Sequence, residues 1–275
     1  MTTDNWSQLQ TALAAGPVCL VEVWRDEGSA PRAAGAWMAV HAGVVPGRLQ
    51  GLIGSIGGGH LEYQAIAHAL ELLSGRGTEG VQRYALGPTL GQCCGGVVHL
   101  RFSRLALAEL PQWQHLRPRL LPVAIFGAGH VGTALVRLLA ALPCQTTWID
   151  SRTQIWPPDV VASPQLQRMQ CDPVQDAVAD LPAHARVLIM THSHVEDWEL
   201  VAACLARQRS AGDLPWVGLI GSASKWASFR RRLRERGFSD AQLDAVHSPI
   251  GVPGLIGKEP EVIALSVAAQ LMQLR

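Results

Sequence analysis

The chain has 275 residues, 48% of them hydrophobic and 16% charged, with a formal net charge of +1. That length supports one large domain or two ordinary ones with real cores, and the composition excludes a mostly disordered protein. Near-neutral charge gives no global reason to expect nucleic acid, an acidic substrate or a membrane surface as partner, so charge is informative only where it clusters.

The N-terminus lacks the basic segment and apolar run of a secretory signal, and no stretch reaches the ~18 uninterrupted apolar residues of a membrane span. Six cysteines are scattered along the chain, and only Cys93 and Cys94 are close together. Adjacent residues rarely form a relaxed disulfide. Reduced thiols and a cytoplasmic location are expected.

In chain order, residues 18–25, 36–40 and 49–56 are rich in β-formers and end on turn residues. Residues 61–73 are good helix formers, with Leu61, Ala65, Ala69 and Leu72 at helical spacing. Two further strands are expected at 81–85 and 97–102. Residues 1–104 thus read as a small α+β domain of antiparallel strands with one main helix. Residues 105–122, with Pro111, Pro118 and Pro122, suit a linker containing some helix. From 123 to 275 strands at 123–126, 146–149, 187–190 and 216–220 alternate with helices at 130–142, 197–210, 224–236 and 260–274. The fold class is α/β: a small α+β N-terminal domain followed by a Rossmann-type parallel-sheet domain.

The strand at 123–126 runs into Gly127-Ala128-Gly129-His130-Val131-Gly132, a G-x-G-x-x-G that opens a helix. Gly127 permits a tight turn, Gly129 lets the backbone approach a pyrophosphate, and Gly132 allows close helix–strand packing. The free amides at the helix start favour an anion. Asp150 follows at the end of the second strand, where a ribose hydroxyl would sit. A second glycine segment, Gly57-Gly58-Gly59, precedes the N-terminal helix. There an anion-binding nest and a helix capped by its own Glu62 are both compatible with the sequence.

Gly91-Gln92-Cys93-Cys94-Gly95-Gly96 sets two thiols in a glycine frame, where they can ligate a soft metal, act as nucleophiles or carry sulfur. Cys19, Cys144, Cys171 and Cys204 read as core or incidental. His192, His194 and Asp197, at the carboxyl edge of the parallel sheet, admit a metal site, although polar lining of a cleft is the plainer reading. Arg230, Arg231, Arg232, Arg234 and Arg236 form a basic helix, by default a solvated face.

Several co-ordered motifs resemble the XdhC/CoxI family of xanthine dehydrogenase accessory proteins across nearly the whole chain. They are Gly28-Ser29-Ala30-Pro31-Arg32, the glycine segment at 57–62, Gln92-Cys93-Cys94-Gly95-Gly96, the 126–132 loop and Thr191-His192-Ser193-His194. Gly218-Leu219-Ile220-Gly221-Ser222 with Lys225, Pro249-Ile250-Gly251 and Ile256-Gly257-Lys258-Glu259-Pro260 continue the series. The resemblance implies an accessory protein, usually a homodimer, rather than an enzyme. It would bind the molybdenum cofactor (Mo-molybdopterin), hold it while its terminal sulfur is installed, and deliver it to the molybdenum subunit of apo-xanthine dehydrogenase. A cysteine desulfurase would supply the sulfur. The family's Cys-Gly-Gly pattern falls on Cys94-Gly95-Gly96, which makes Cys94 the expected neighbour of the molybdenum; His60 stands where some relatives carry a cysteine. The cofactor phosphate would lie on Gly57, Gly58 and Gly59 or on Gly127, Gly129 and Gly132. Two other classes stay open: an NAD(P)-dependent oxidoreductase built on the Rossmann domain and Asp150, and a metal-dependent hydrolase built on His192, His194 and Asp197.

Overall fold

In the computed structural model residues 4–44, 51–86 and 95–275 are described, and the chain divides into two compact units, Met1–Pro118 and Arg119–Arg275. Cys93 and Cys94 lie outside the described residues. Among those described, no helix is long and apolar enough to cross a membrane.

The first unit is built on alternation. In β1 (Val18–Glu27) successive side chains point to opposite faces, and both faces are buried. Cys19, Val21 and Val23 pack with Leu61, Ala65, Ala69 and Leu72 of α2 (Gly59–Leu73). Val18 and Leu20 pack with Trp6, Leu9 and Leu13 of α1 (Asp4–Ala15). The domain thus has a second helix, α1, beside the one main helix expected; its three apolar residues lie at helical spacing. The remaining strands are β2 (Trp37–His41), β3 (Ile53–Gly54), β4 (Gly80–Ala85) and β5 (Val97–Leu105). They form an antiparallel sheet of order β3-β2-β1-β5-β4. Within the span expected as a linker, Leu107–Leu116 is a 3-10 helix whose Leu110 and Leu116 bury into the α1 side of this core. The Trp37 indole N–H donates to the Leu116 carbonyl at 3.2 Å.

The second unit alternates strands and helices: β6 (Leu121–Phe126), α3 (His130–Leu139), β7 (Cys144–Asp150), β8 (Leu166–Gln170), β9 (Arg186–Ile189) and α4 (His194–Ala211). Then follow β10 (Trp216–Leu219), α5 (Ala223–Glu235), α6 (Asp240–Asp244), β11 (Val246–His247) and α7 (Pro260–Gln273). The sheet is parallel with order β11-β10-β9-β6-β7-β8. Its direction of growth reverses between β6 and β9, and in open α/β sheets the crevice outside the carboxyl ends at that reversal is where ligands bind. α3 and α7 cover one face, with Leu135, Leu139, Val267 and Leu271 in the core. α4 and α5 cover the other, with Leu200, Leu205, Phe229 and Leu233.

Candidate functional site

At the reversal, Gly127 turns with φ +115°, and a Cβ there would stand 2.2 Å from the Met190 carbonyl oxygen after β9. A Cβ on Gly132 would stand 2.1 Å from the Gly127 carbonyl oxygen, which also accepts the Trp148 indole N–H at 3.0 Å. Packing therefore demands glycine at both positions. Gly129 is different: it has ordinary backbone angles, and a Cβ there would meet nothing within 4 Å. It is the N-cap of α3, and no side chain caps that helix. The loop thus leaves open space at Gly129 beside helix-start amides that no side chain caps.

Asp150, expected at a ribose hydroxyl, has a different set of partners. Oδ2 accepts from the Ala128 amide at 2.6 Å and from Arg152 Nη2 at 2.9 Å. Oδ1 accepts from the Arg152 amide at 3.0 Å and from Arg152 Nε at 2.9 Å. A carboxylate offers about four acceptor sites, and here all are taken, with the side chain only 2% exposed. Burial pushes its pKa up, but the Arg152 guanidinium and the amides of Arg152 and Ala128 outweigh burial and hold it below the usual carboxylate value. Arg152, about one-third exposed, carries the cationic side of the pair.

Across the crevice Asp197 is buried. Its Oδ1 accepts from the Thr191 amide at 3.0 Å and the Thr191 hydroxyl at 2.8 Å, and its Oδ2 accepts from Lys225 Nζ at 2.6 Å. Asp197 is thus spent on an ion pair, not gathered with the two histidines. His192 approaches Glu196 at 3.6 Å, whereas His194 sets its ring against Phe229. Among the described residues no group of three or more metal-ligating side chains is assembled. The hydrolase reading loses the ligand set on which it rested. Lys225 and its partner are 28 positions apart, so no local pattern in the sequence signals the pair. The same holds for Glu196, after β9, which accepts the hydroxyl of Ser151, after β7, at 2.6 Å.

In the first unit the glycine segment is filled from within. Glu62 Oε1 accepts from the amides of Ile56 (3.0 Å), Gly57 (3.2 Å) and Gly58 (2.8 Å) and from the Ser55 hydroxyl (2.5 Å). Of the two partners the sequence left open for these amides, the structure shows Glu62 on those of Gly57 and Gly58, just ahead of α2, whose own first amides have no side-chain cap. A Cβ on Gly57 would stand 2.5 Å from Pro31, and one on Gly96 would stand 2.4 Å from the Glu27 carbonyl oxygen. The segments around Pro31, Gly57 and Gly96 are therefore neighbours. Cys19, Cys144 and Cys204 are buried, and burial pushes their thiols up to about 12, 11 and 12, which suits core packing rather than nucleophilic chemistry. In the basic helix, Arg230 pairs with Asp240 and Asp244, Arg234 with Asp240, and Arg236 with Glu199. Arg232 lies over the Trp198 ring.

Comparison with known proteins agrees with this architecture. A family model described as the XdhC Rossmann domain matches residues 123–271, and the model of the XdhC and CoxI family matches residues 12–85. The uncharacterized protein YqeB of Escherichia coli (strain K12) is 26% identical over 264 residues, covering 94% of this chain and 44% of that protein. The chain therefore spans less than half the length of this curated relative. A crystal structure titled as a xanthine dehydrogenase from Bacillus halodurans has the same fold, with a TM-score of 0.78 at 20% identity, covering 100% of this chain and 96% of that one. The chain belongs to the XdhC and CoxI family.

Proposed function

We propose that this chain is an accessory protein of xanthine dehydrogenase maturation that binds the molybdenum cofactor, holds it during sulfuration and delivers it to the apo-enzyme. The observation that carries the reading is the state of the crevice at the 127–132 loop. Gly129 leaves space beside uncapped helix amides, while Asp150 has no acceptor left for a ribose diol. A ligand that brings a phosphate but no ribose suits that arrangement, and molybdopterin is such a ligand. The glycine segment at 57–59 is the weaker phosphate site because Glu62 already occupies the amides of Gly57 and Gly58.

Cys94, in the first unit, is a candidate thiol for molybdenum in its own right, since a soft thiolate suits that metal. A molybdenum subunit of apo-xanthine dehydrogenase is the acceptor, and a cysteine desulfurase is the sulfur donor. The test is reconstitution: chain loaded with cofactor and a cysteine desulfurase should activate apo-xanthine dehydrogenase more than free cofactor does. Equal activation with and without the chain would refute delivery. The parallel sheet order also suits a dinucleotide, so NAD(P) belongs among the ligands offered.

A further inference from the structure

Of the 23 lysine and arginine residues in the chain, only two are lysines, Lys225 and Lys258. Both lie at the carboxyl edge of the parallel sheet, Lys225 in the first turn of α5 after β10 and Lys258 ahead of α7 after β11. A compact ammonium directs three donors tetrahedrally, which a planar guanidinium does not. A position that keeps lysine in so arginine-rich a chain asks what the third donor is for.

Lys225 is only 12% exposed, and its Nζ donates to Asp197 Oδ2 at 2.6 Å and to the Ile220 carbonyl at 2.8 Å. The backbone is shaped around it. Gly221 has φ +146°, and a Cβ there would stand 2.5 Å from Lys225 Cδ. The Ser222 hydroxyl accepts the Lys225 amide and caps the helix that carries the lysine. Asp197 in turn holds Thr191, whose Cα would stand 3.0 Å from a Cβ on Gly127. Lys225 is thereby linked through two side chains to the glycine turn at the reversal of the sheet. Two ammonium hydrogens are committed, Nζ also lies 5.5 Å from the centre of the Phe229 ring, and the third hydrogen has no oxygen or nitrogen acceptor among the described residues. Stability does not account for the arrangement, because a buried ion pair is generally no more stabilising than apolar residues of similar volume.

We propose that Lys225 is a ligand-binding residue of this crevice, donating its third ammonium hydrogen to an anionic oxygen of the phosphate type. The inference rests on the crevice being a ligand site, not on the ligand being the molybdenum cofactor. The full chain would be acetylated with an N-hydroxysuccinimide ester, with and without inorganic pyrophosphate as probe, and labelling read by mass spectrometry against the N-terminal amine. Pyrophosphate is expected to slow labelling of Lys225 selectively. Equal rates with and without it, or a Lys225 never labelled in the folded chain, would overturn the proposal. In calorimetry, Lys225→Met is expected to weaken pyrophosphate binding by about tenfold or more, the scale of one charge-assisted hydrogen bond, and Lys225→Arg not to restore it. A Lys225→Met chain that melts like the wild type and binds pyrophosphate equally well would also overturn it. Because pyrophosphate binding is read without the cofactor, failure here is distinct from failure of the accessory function.

Discussion

The Asp150 carboxylate stands 2.6 Å from the Ala128 amide, in the middle of the glycine turn that a dinucleotide would approach. With Arg152 closing both of its oxygens, the acid at the end of β7 braces the turn instead of waiting for a ribose. One pair of residues thus leaves the acid of the motif with its acceptor positions already filled from within the chain.

Asp150→Asn should lower stability at pH 7 by roughly 1–3 kcal/mol, because the Ala128 and Arg152 donors lose a charged acceptor. Solvent screening at Arg152, which is about one-third exposed, sets the lower end. The folded pKa of Asp150 is lowered, so its contribution is complete above the ordinary carboxylate pKa and is lost as pH falls through the folded value. Urea denaturation at neutral and acid pH should show the gap between wild type and variant closing on the acid side. A gap constant with pH would contradict this.

The three loop glycines should separate into packing and ligand roles. Gly132→Ala places a Cβ against the Gly127 carbonyl oxygen and should cost about 1–3 kcal/mol, visible as a lower melting temperature. Gly129→Ala has open space and should shift stability by about 0.5 kcal/mol or less while weakening ligand binding.

Glu62→Ala should destabilise the first unit by about 1–3 kcal/mol, since one carboxylate oxygen satisfies three amides and a hydroxyl around the start of α2. Chemical denaturation measures it. A variant as stable as wild type would mean that water replaces the carboxylate without loss.

Thiol alkylation of the native chain at pH 8 should leave Cys19, Cys144 and Cys204 unmodified, their thiols being buried and held well above that pH. Mass spectrometry of tryptic peptides reads this directly. Cys94→Ala should lower cofactor retention without changing the melting temperature.

Much of the second unit is legible in the sequence because its signals are local: a strand, a glycine turn and a helix follow one another at 121–139. β8 escaped because it is an edge strand with a single buried residue, and β11 because it is two residues long. The site was less legible. Asp150 and Arg152 are two positions apart, yet their pairing depends on a turn that no periodicity encodes. The Lys225–Asp197 and Ser151–Glu196 contacts join residues 28 and 45 positions apart, which only the strand order brings together. At Gly57 the sequence allowed an anion or Glu62, and geometry chose the carboxylate already in the chain.

The identity of the ligand separates a cofactor-delivery protein from a nicotinamide-dependent one. Purified chain would be incubated separately with the molybdenum cofactor, NADH and NADPH, passed through a desalting column, and assayed for retained molybdenum, pterin and nicotinamide. Retention of molybdenum and pterin in near-equal amounts, with little nicotinamide, is the expected result. Tight nicotinamide binding without pterin would contradict it.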